Sequence, residues 1–191
     1  TAVVVASQQL PVAEEAQRAL SSDRFRVYTS DDMSGVEIGG AAKNVVAIAA
    51  GIADGLGLGH NTRAALITRG LAEISRLAEA KAGNPLTLAG LAGMGDLVLT
   101  CTGELSRNRA VGVKLGQGQS MEQIEAGTRT VAEGVKNARS CHALARRLGV
   151  EMPITEAVHD VIYEGLPPMQ AVAQLMGRQL KHELDRQRSA S

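Results

Sequence analysis

The sequence predicts a mainly α-helical protein that opens with one short strand–helix–strand unit, and three observations carry that prediction. Residues 2–6 (Ala-Val-Val-Val-Ala) and 25–29 (Phe-Arg-Val-Tyr-Thr) have strand patterns, with a helical stretch between them. After Asp31-Asp32 every apolar pattern has helical spacing, punctuated by Gly and Pro. The composition is that of closely packed helices: 21 glycines and a 45% hydrophobic share, with no Trp, one Phe and two Tyr in 191 residues. A core with so few aromatic rings must be filled by Ala, Val, Ile, Leu and Met.

The β-branched run at 2–6 reads as a buried strand and the alternating run at 25–29 as a second. The helix between them, over 11–21, has Pro11 in its first turn and Glu14-Glu15 close behind. This unit has the form of the last part of a doubly wound sheet. A buried strand needs neighbours, so a chain that opens at Thr1 inside one is expected to be the remainder of a longer polypeptide. A long helix then runs over 33–56, stopped by Gly55, Gly57 and Gly59.

Asn61 is placed to cap the next helix, which reaches Ala82 and stops at Gly83. Its apolar face is Ala65, Leu66, Leu71 and Ile74, with an Arg69–Glu73 pair at i, i+4. Shorter helices are expected at 85–90, 95–101, 107–116 and 120–125. A longer helix spans 131–148 and is closed by Gly149. Pro153 opens a helix to Glu164, and Pro167-Pro168 opens the last. From Gln179 the chain is charged and expected to fray.

Lys+Arg and Asp+Glu both number 20. A balanced charge argues against a nucleic-acid partner or a polybasic membrane surface, since each needs a one-sided field. It is compatible with a stable oligomer. The longest apolar stretch, 45–53, is too short to span a bilayer. Cys101 and Cys141 stand far apart, in no ligand or redox spacing, and read as two free thiols. The four histidines are scattered, and no metal is expected.

Three segments can carry chemistry. Lys43 sits in a helix that is otherwise almost wholly apolar, and its neighbours at i−4, i−3, i+4 and i+7 are Gly39, Gly40, Ala47 and Ala50. The lysine thus projects from a nearly flat floor with room for a small molecule, and an ammonium there could exchange a proton with an alcohol. The plainer alternative is a snorkelling lysine on a packed helix. Asp96 and Thr100 share a helical face and could fix that ammonium or a substrate hydroxyl, although an Asp after Gly95 also suits a helix N-cap. Ser106-Arg107-Asn108-Arg109 combines helix-terminal amides with guanidinium groups, a fair phosphate site or simply a capped surface helix. Glu133 opens a helix, where a carboxylate is favourable in any case.

Taken together, the segments resemble one family. The stretch from Gly35 through Lys43-Asn44 to Gly51 looks like the catalytic-lysine helix of bacterial NAD(P)-dependent sn-glycerol-3-phosphate dehydrogenases. The likeness continues through Asp54–Asn61, Ala65–Glu73, Leu91–Leu97 with Thr100-Cys101-Thr102, Ser106-Arg107-Asn108, Val131–Gly134 and Glu151–Ile154. It runs in the same order from Thr1 to about Lys181.

The resemblance implies an all-helical substrate-binding domain like the C-terminal domain of 6-phosphogluconate dehydrogenase, over 32–191. Residues 1–31 would be the end of an N-terminal Rossmann nucleotide-binding domain. It implies Lys43 as proton acceptor, Lys43, Asp96, Ser106, Arg107 and Asn108 as the glycerol 3-phosphate site, and Arg107, Val131 and Glu133 as contacts to NAD or NADP. Asn44 and Thr100 would line the same pocket. It further implies a cytoplasmic homodimer acting in glycerophospholipid synthesis. The Gly-rich phosphate loop and a second substrate-binding lysine of the family's N-terminal domain have no counterpart here, so these residues alone are expected to be inactive. The rivals are a dehydrogenase of another hydroxy acid and a non-catalytic dimerisation module.

Overall fold

Ala2–Ala6 (β1) and Arg26–Ser30 (β2) pair in parallel, Val3 opposite Val27 and Val5 opposite Thr29, with Leu10–Leu20 (α1) as the crossover. The computed structural model describes residues 1–127 and 132–179. Helix α1 seats Ala13 on the strands and donates from Gln17 Nε2 to the Val27 carbonyl at 2.8 Å. The remaining described residues form helices: Met33–Gly55 (α2), Gly59–Glu79 (α3), Pro85–Leu88 (α4), a π-helical turn Leu91–Gly95, Asp96–Thr102 (α5), Arg107–Gly116 (α6), Met121–Ala126 (α7), Glu133–Leu148 (α8), Pro153–Tyr163 (α9) and Pro168–Met176 (α10). The predicted mainly helical architecture is the observed one. Fraying beyond Gln179 concerns residues outside the described ones.

Helix α2 is the axis of the molecule. Asp32 caps it by accepting from the Gly35 amide at 2.8 Å, and its other carboxylate oxygen accepts from the Asn84 amide at 2.9 Å. The start of α2 is therefore tied to the start of α4. Val45, Val46, Ile48 and Ile52 enter a continuous core with Ile74, Leu88, Leu97, Leu115, Ile124, Val135, Ile154 and Val158. Helix α2 is long and apolar enough to cross a membrane, with a mean hydropathy of 1.4 over its best window, but 67% of that window is buried inside the protein. Its apolarity serves the core. Cys101 and Cys141 are buried free thiols, and burial pushes them up to about 12 and about 11, so both stay protonated.

Helices α2 and α6 touch backbone to backbone. Asn44 meets Asn108, Gly51 meets Gly112 and Gly55 meets Gly116, so the two helices run in the same direction. A β-carbon on Gly51 would stand 2.1 Å from the Arg109 carbonyl oxygen, and one on Gly55 2.3 Å from that of Val113. Only glycine permits this approach.

Two local expectations are corrected. Helix α3 starts at Gly59 rather than after Asn61, because Gly57 and Gly59 adopt positive φ (73° and 81°) and turn the chain sooner than a side-chain cap could. Glu73 does not pair with Arg69 on the surface. It is 2% exposed, and its carboxylate accepts from the Ile154 amide (2.7 Å), the Thr155 amide (3.2 Å) and the Thr155 hydroxyl (3.2 Å). It thereby caps α9, whose first turn has no side-chain cap of its own. Burial raises its pKa to about 7, against the opposing pull of those hydrogen bonds and of Arg76.

Candidate active site

The π-helical turn, α5, the middle of α2 and the first turns of α6 and α8 supply the candidate residues. Lys43 lies on α2 with its side chain 20% exposed, and its ammonium forms an ion pair with the Asp96 carboxylate. Asp96 is the first residue of α5 and makes no N-cap contact. The preceding turn is widened: the amides of Gly95 and Asp96 donate to the carbonyls of Gly90 and Leu91, five residues back. That widening turns the carboxylate onto Lys43 instead of onto its own helix. Thr100 then donates to the Asp96 carbonyl at 2.6 Å and approaches its Oδ1 at 3.4 Å, which braces the acid from one turn on.

The floor beneath Lys43 differs from the expected one. Ala47 and Ala50 are fully buried in the core, and a β-carbon on Gly39 would lie 2.9 Å from the Ala92 carbonyl of the π-helical turn. Gly40 alone among these four opens outward, with nothing within 4 Å of an added β-carbon. The small residues therefore serve mainly helix approach, and the open ground beside Lys43 is at Gly40.

A hydrogen-bond chain extends the site to α6 and α8. Asn44, 5% exposed, donates from Nδ2 to the Gly40 carbonyl at 3.2 Å and accepts from Asn108 Nδ2 at 2.9 Å. Asn108 Oδ1 in turn accepts from the Gly134 amide at 2.9 Å. Ser106 caps α6 by accepting from the Arg109 amide at 3.3 Å. Arg107, beside it, is exposed and has no ion pair among the described residues. Glu133 is exposed in the first turn of α8. Val131 lies outside the described residues.

Lys43 contacts Asp96, which Thr100 braces, and the adjacent Asn44 contacts Asn108. Ser106, Arg107 and Glu133 stand close in sequence to members of this chain. Two features of the neighbourhood have no counterpart among the sequence expectations. One is the Asn44–Asn108–Gly134 link. The other is Asp54, which receives Arg109 (2.7 and 2.8 Å) and Arg63 (3.1 and 3.2 Å). A signal for it exists in the sequence: Asp54 is the lone acid between Glu37 and Glu73 in an apolar run, and such a group needs a partner.

Residues 32–173 match the family described as the C-terminus of NAD-dependent glycerol-3-phosphate dehydrogenase. The chain belongs to that family. Glycerol-3-phosphate dehydrogenase (NAD(P)+) of Geobacter metallireducens is 63% identical over 183 residues, covering 96% of this chain and 55% of the relative. The protein of that name from Trichlorobacter lovleyi is 64% identical over 181 residues, covering 95% and 54%. The crystal structure of glycerol-3-phosphate dehydrogenase from Coxiella burnetii superposes with a TM-score of 0.90 at 49% identity, over 93% of this chain and 55% of that one. The chain spans about half the length of the curated relatives it matches. For this glycerol-3-phosphate dehydrogenase family, the helical fold expected from the sequence is the fold found.

Proposed function

We propose that this chain supplies the substrate-binding part of an NAD(P)-dependent glycerol-3-phosphate dehydrogenase and that Lys43 is its acid/base. The observation that carries the reading is the Lys43–Asp96 ion pair beside the open ground at Gly40. In the oxidation, Lys43 as the neutral amine takes the proton of the C2 hydroxyl as the C2–H bond breaks, the C2–O bond becomes the carbonyl of dihydroxyacetone phosphate, and the ammonium so formed pairs with Asp96. Bound NAD(P)+ supplies the hydride acceptor. In reduction the Lys43 ammonium returns its proton to that carbonyl oxygen.

Each neighbour has a role suited to its position. Asp96, braced by Thr100, holds the lysine nitrogen in place and accepts from a substrate hydroxyl. Arg107 supplies a forked cation for the phosphate, beside the amides of the α6 N-terminus and the Ser106 cap. Asn44 and Asn108 fix the wall between them. The exposed guanidinium of Arg107 and the exposed Glu133 carboxylate suit the phosphate and hydroxyl groups of a dinucleotide, and Val131 belongs to the same set by family likeness.

The family match begins at residue 32, which supports the division into 1–31, the end of a nucleotide-binding domain, and 32–191, the helical substrate domain. The wider reading is a cytoplasmic homodimer that makes glycerol 3-phosphate for phospholipid synthesis and has no nucleic-acid partner. The test is Lys43→Met in a full-length protein carrying these residues, assayed with glycerol 3-phosphate and either cofactor. Turnover is expected to vanish while the circular dichroism spectrum is unchanged; wild-type rates would refute the assignment.

A further inference from the structure

The tetrapeptide Ser106-Arg107-Asn108-Arg109 holds two arginines, and the structure treats them oppositely. Residues two apart on an α-helix point about 200° apart around its axis, so Arg107 and Arg109 leave α6 on opposite faces. Arg107 is exposed, without an ion pair among the described residues. Arg109 turns back and binds Asp54 Oδ2 with both Nε (2.8 Å) and a terminal nitrogen (2.7 Å). Arg63 of α3 binds the same carboxylate at 3.1 and 3.2 Å, and its other terminal nitrogen lies 2.8 Å from His60 Nδ1. The three side chains are 14–21% exposed, so water screens them little.

We propose that Asp54 is a positioning residue: by fastening Arg109 to the C-terminal end of α2 it holds the first turn of α6 in place, so that Arg107 and the Ser106 cap face the ligand. The inference rests on the phosphate-site reading under Proposed function. The glycine contacts and the buried Leu115 fix the middle and end of α6 against α2, and its first turn, which carries Ser106 and Arg107, is fastened by side chains. Asn44–Asn108 pins α6 from the middle of α2, and Asp54–Arg109 pins it from the far end of that helix. Both bonds come from adjacent residues of α6, so together they hold its first turn to two points along α2. Arg63 shares the acid but belongs to α3, so its loss weakens the cluster without releasing α6.

The experiment compares Asp54→Asn, Asp54→Glu, Arg109→Gln, Arg63→Gln and Arg107→Ala in a full-length protein carrying these residues, reading KM for glycerol 3-phosphate, kcat and Tm. Asp54→Asn and Arg109→Gln are expected to raise KM on the order of tenfold with kcat changed far less. Asp54→Glu should recover part of the loss, and Arg63→Gln should lower Tm with KM held. If Asp54→Asn fails to fold, Arg109→Gln against Arg63→Gln decides the question. A raised KM in Arg107→Ala with unchanged KM in Asp54→Asn and Arg109→Gln would overturn the positioning role alone. So would KM changes in Arg63→Gln equal to those in Arg109→Gln. An unchanged KM in Arg107→Ala would remove the phosphate site itself, and the proposal with it.

Discussion

Gly51 and Gly112 face each other across α2 and α6 so closely that a β-carbon on Gly112 would stand 2.1 Å from the Ile48 carbonyl oxygen and 2.9 Å from Gly51 Cα. The obstacle is backbone on both sides, which has no rotamer to yield. Gly40, on the same helix as Gly51, has open space instead.

Gly112→Ala is therefore expected to destabilise the protein by about 3 kcal/mol, at the upper end of overpacking costs. Gly40→Ala should stabilise it by roughly 0.5–1 kcal/mol through helix propensity. Denaturant midpoints of the two variants would check both signs, and equal effects would contradict the helix contact described.

Glu73 gives a pH signature. Its carboxyl has a pKa near 4.5 when solvated and about 7 in the folded protein. Between those values the folded state binds more protons than the unfolded one, so stability falls as pH rises through 4.5–7 and the full loss is present above it. Relative to Glu73→Gln, which cannot titrate, the wild type should lose on the order of 3 kcal/mol between about pH 4.5 and about pH 8. The measurement is unfolding free energy of both proteins across that range; parallel curves would show that Glu73 titrates normally.

Asn108 spends its amide on two partners, Asn44 Oδ1 and the Gly134 amide. Asn108→Ala leaves both without a partner among the described residues, at a cost of about 1–3 kcal/mol. Hydrogen exchange at the Gly134 amide should quicken in that variant. Unchanged protection there would mean that α8 is held by other contacts.

The fold is legible because its signals are local. Gly and Pro mark the helix ends at Gly55, Gly149, Pro153 and Pro168, and β-branched runs mark the strands. Lys43, Asp96 and Ser106-Arg107-Asn108 stand out as chemistry-bearing residues in unusual settings, and Asp96 is offered as a partner for Lys43, while the Asn44–Asn108 pairing across 64 positions does not stand out. The i, i+4 spacing suggests Arg69 as a surface partner for Glu73 because that signal is local, whereas its real ligands are the amides of residues 154 and 155. The small residues around Lys43 suggest a floor for a ligand, and most of them serve close helix contact. His142 and His159, packing or surface residues by pattern, meet as a tilted pair with ring centroids 4.0 Å apart between α8 and α9.

The π-helical turn at Leu91–Gly95 bears on how variation at this site is tolerated. A wide turn holds one more residue than an ordinary one, and each residue swings the next by about 100°. The direction of the Asp96 carboxylate is thus encoded in the number of residues before it as well as in their identity, Gly93 having no room for a β-carbon. Shortening the segment by one would rotate the acid away from its lysine while leaving every functional side chain in the sequence.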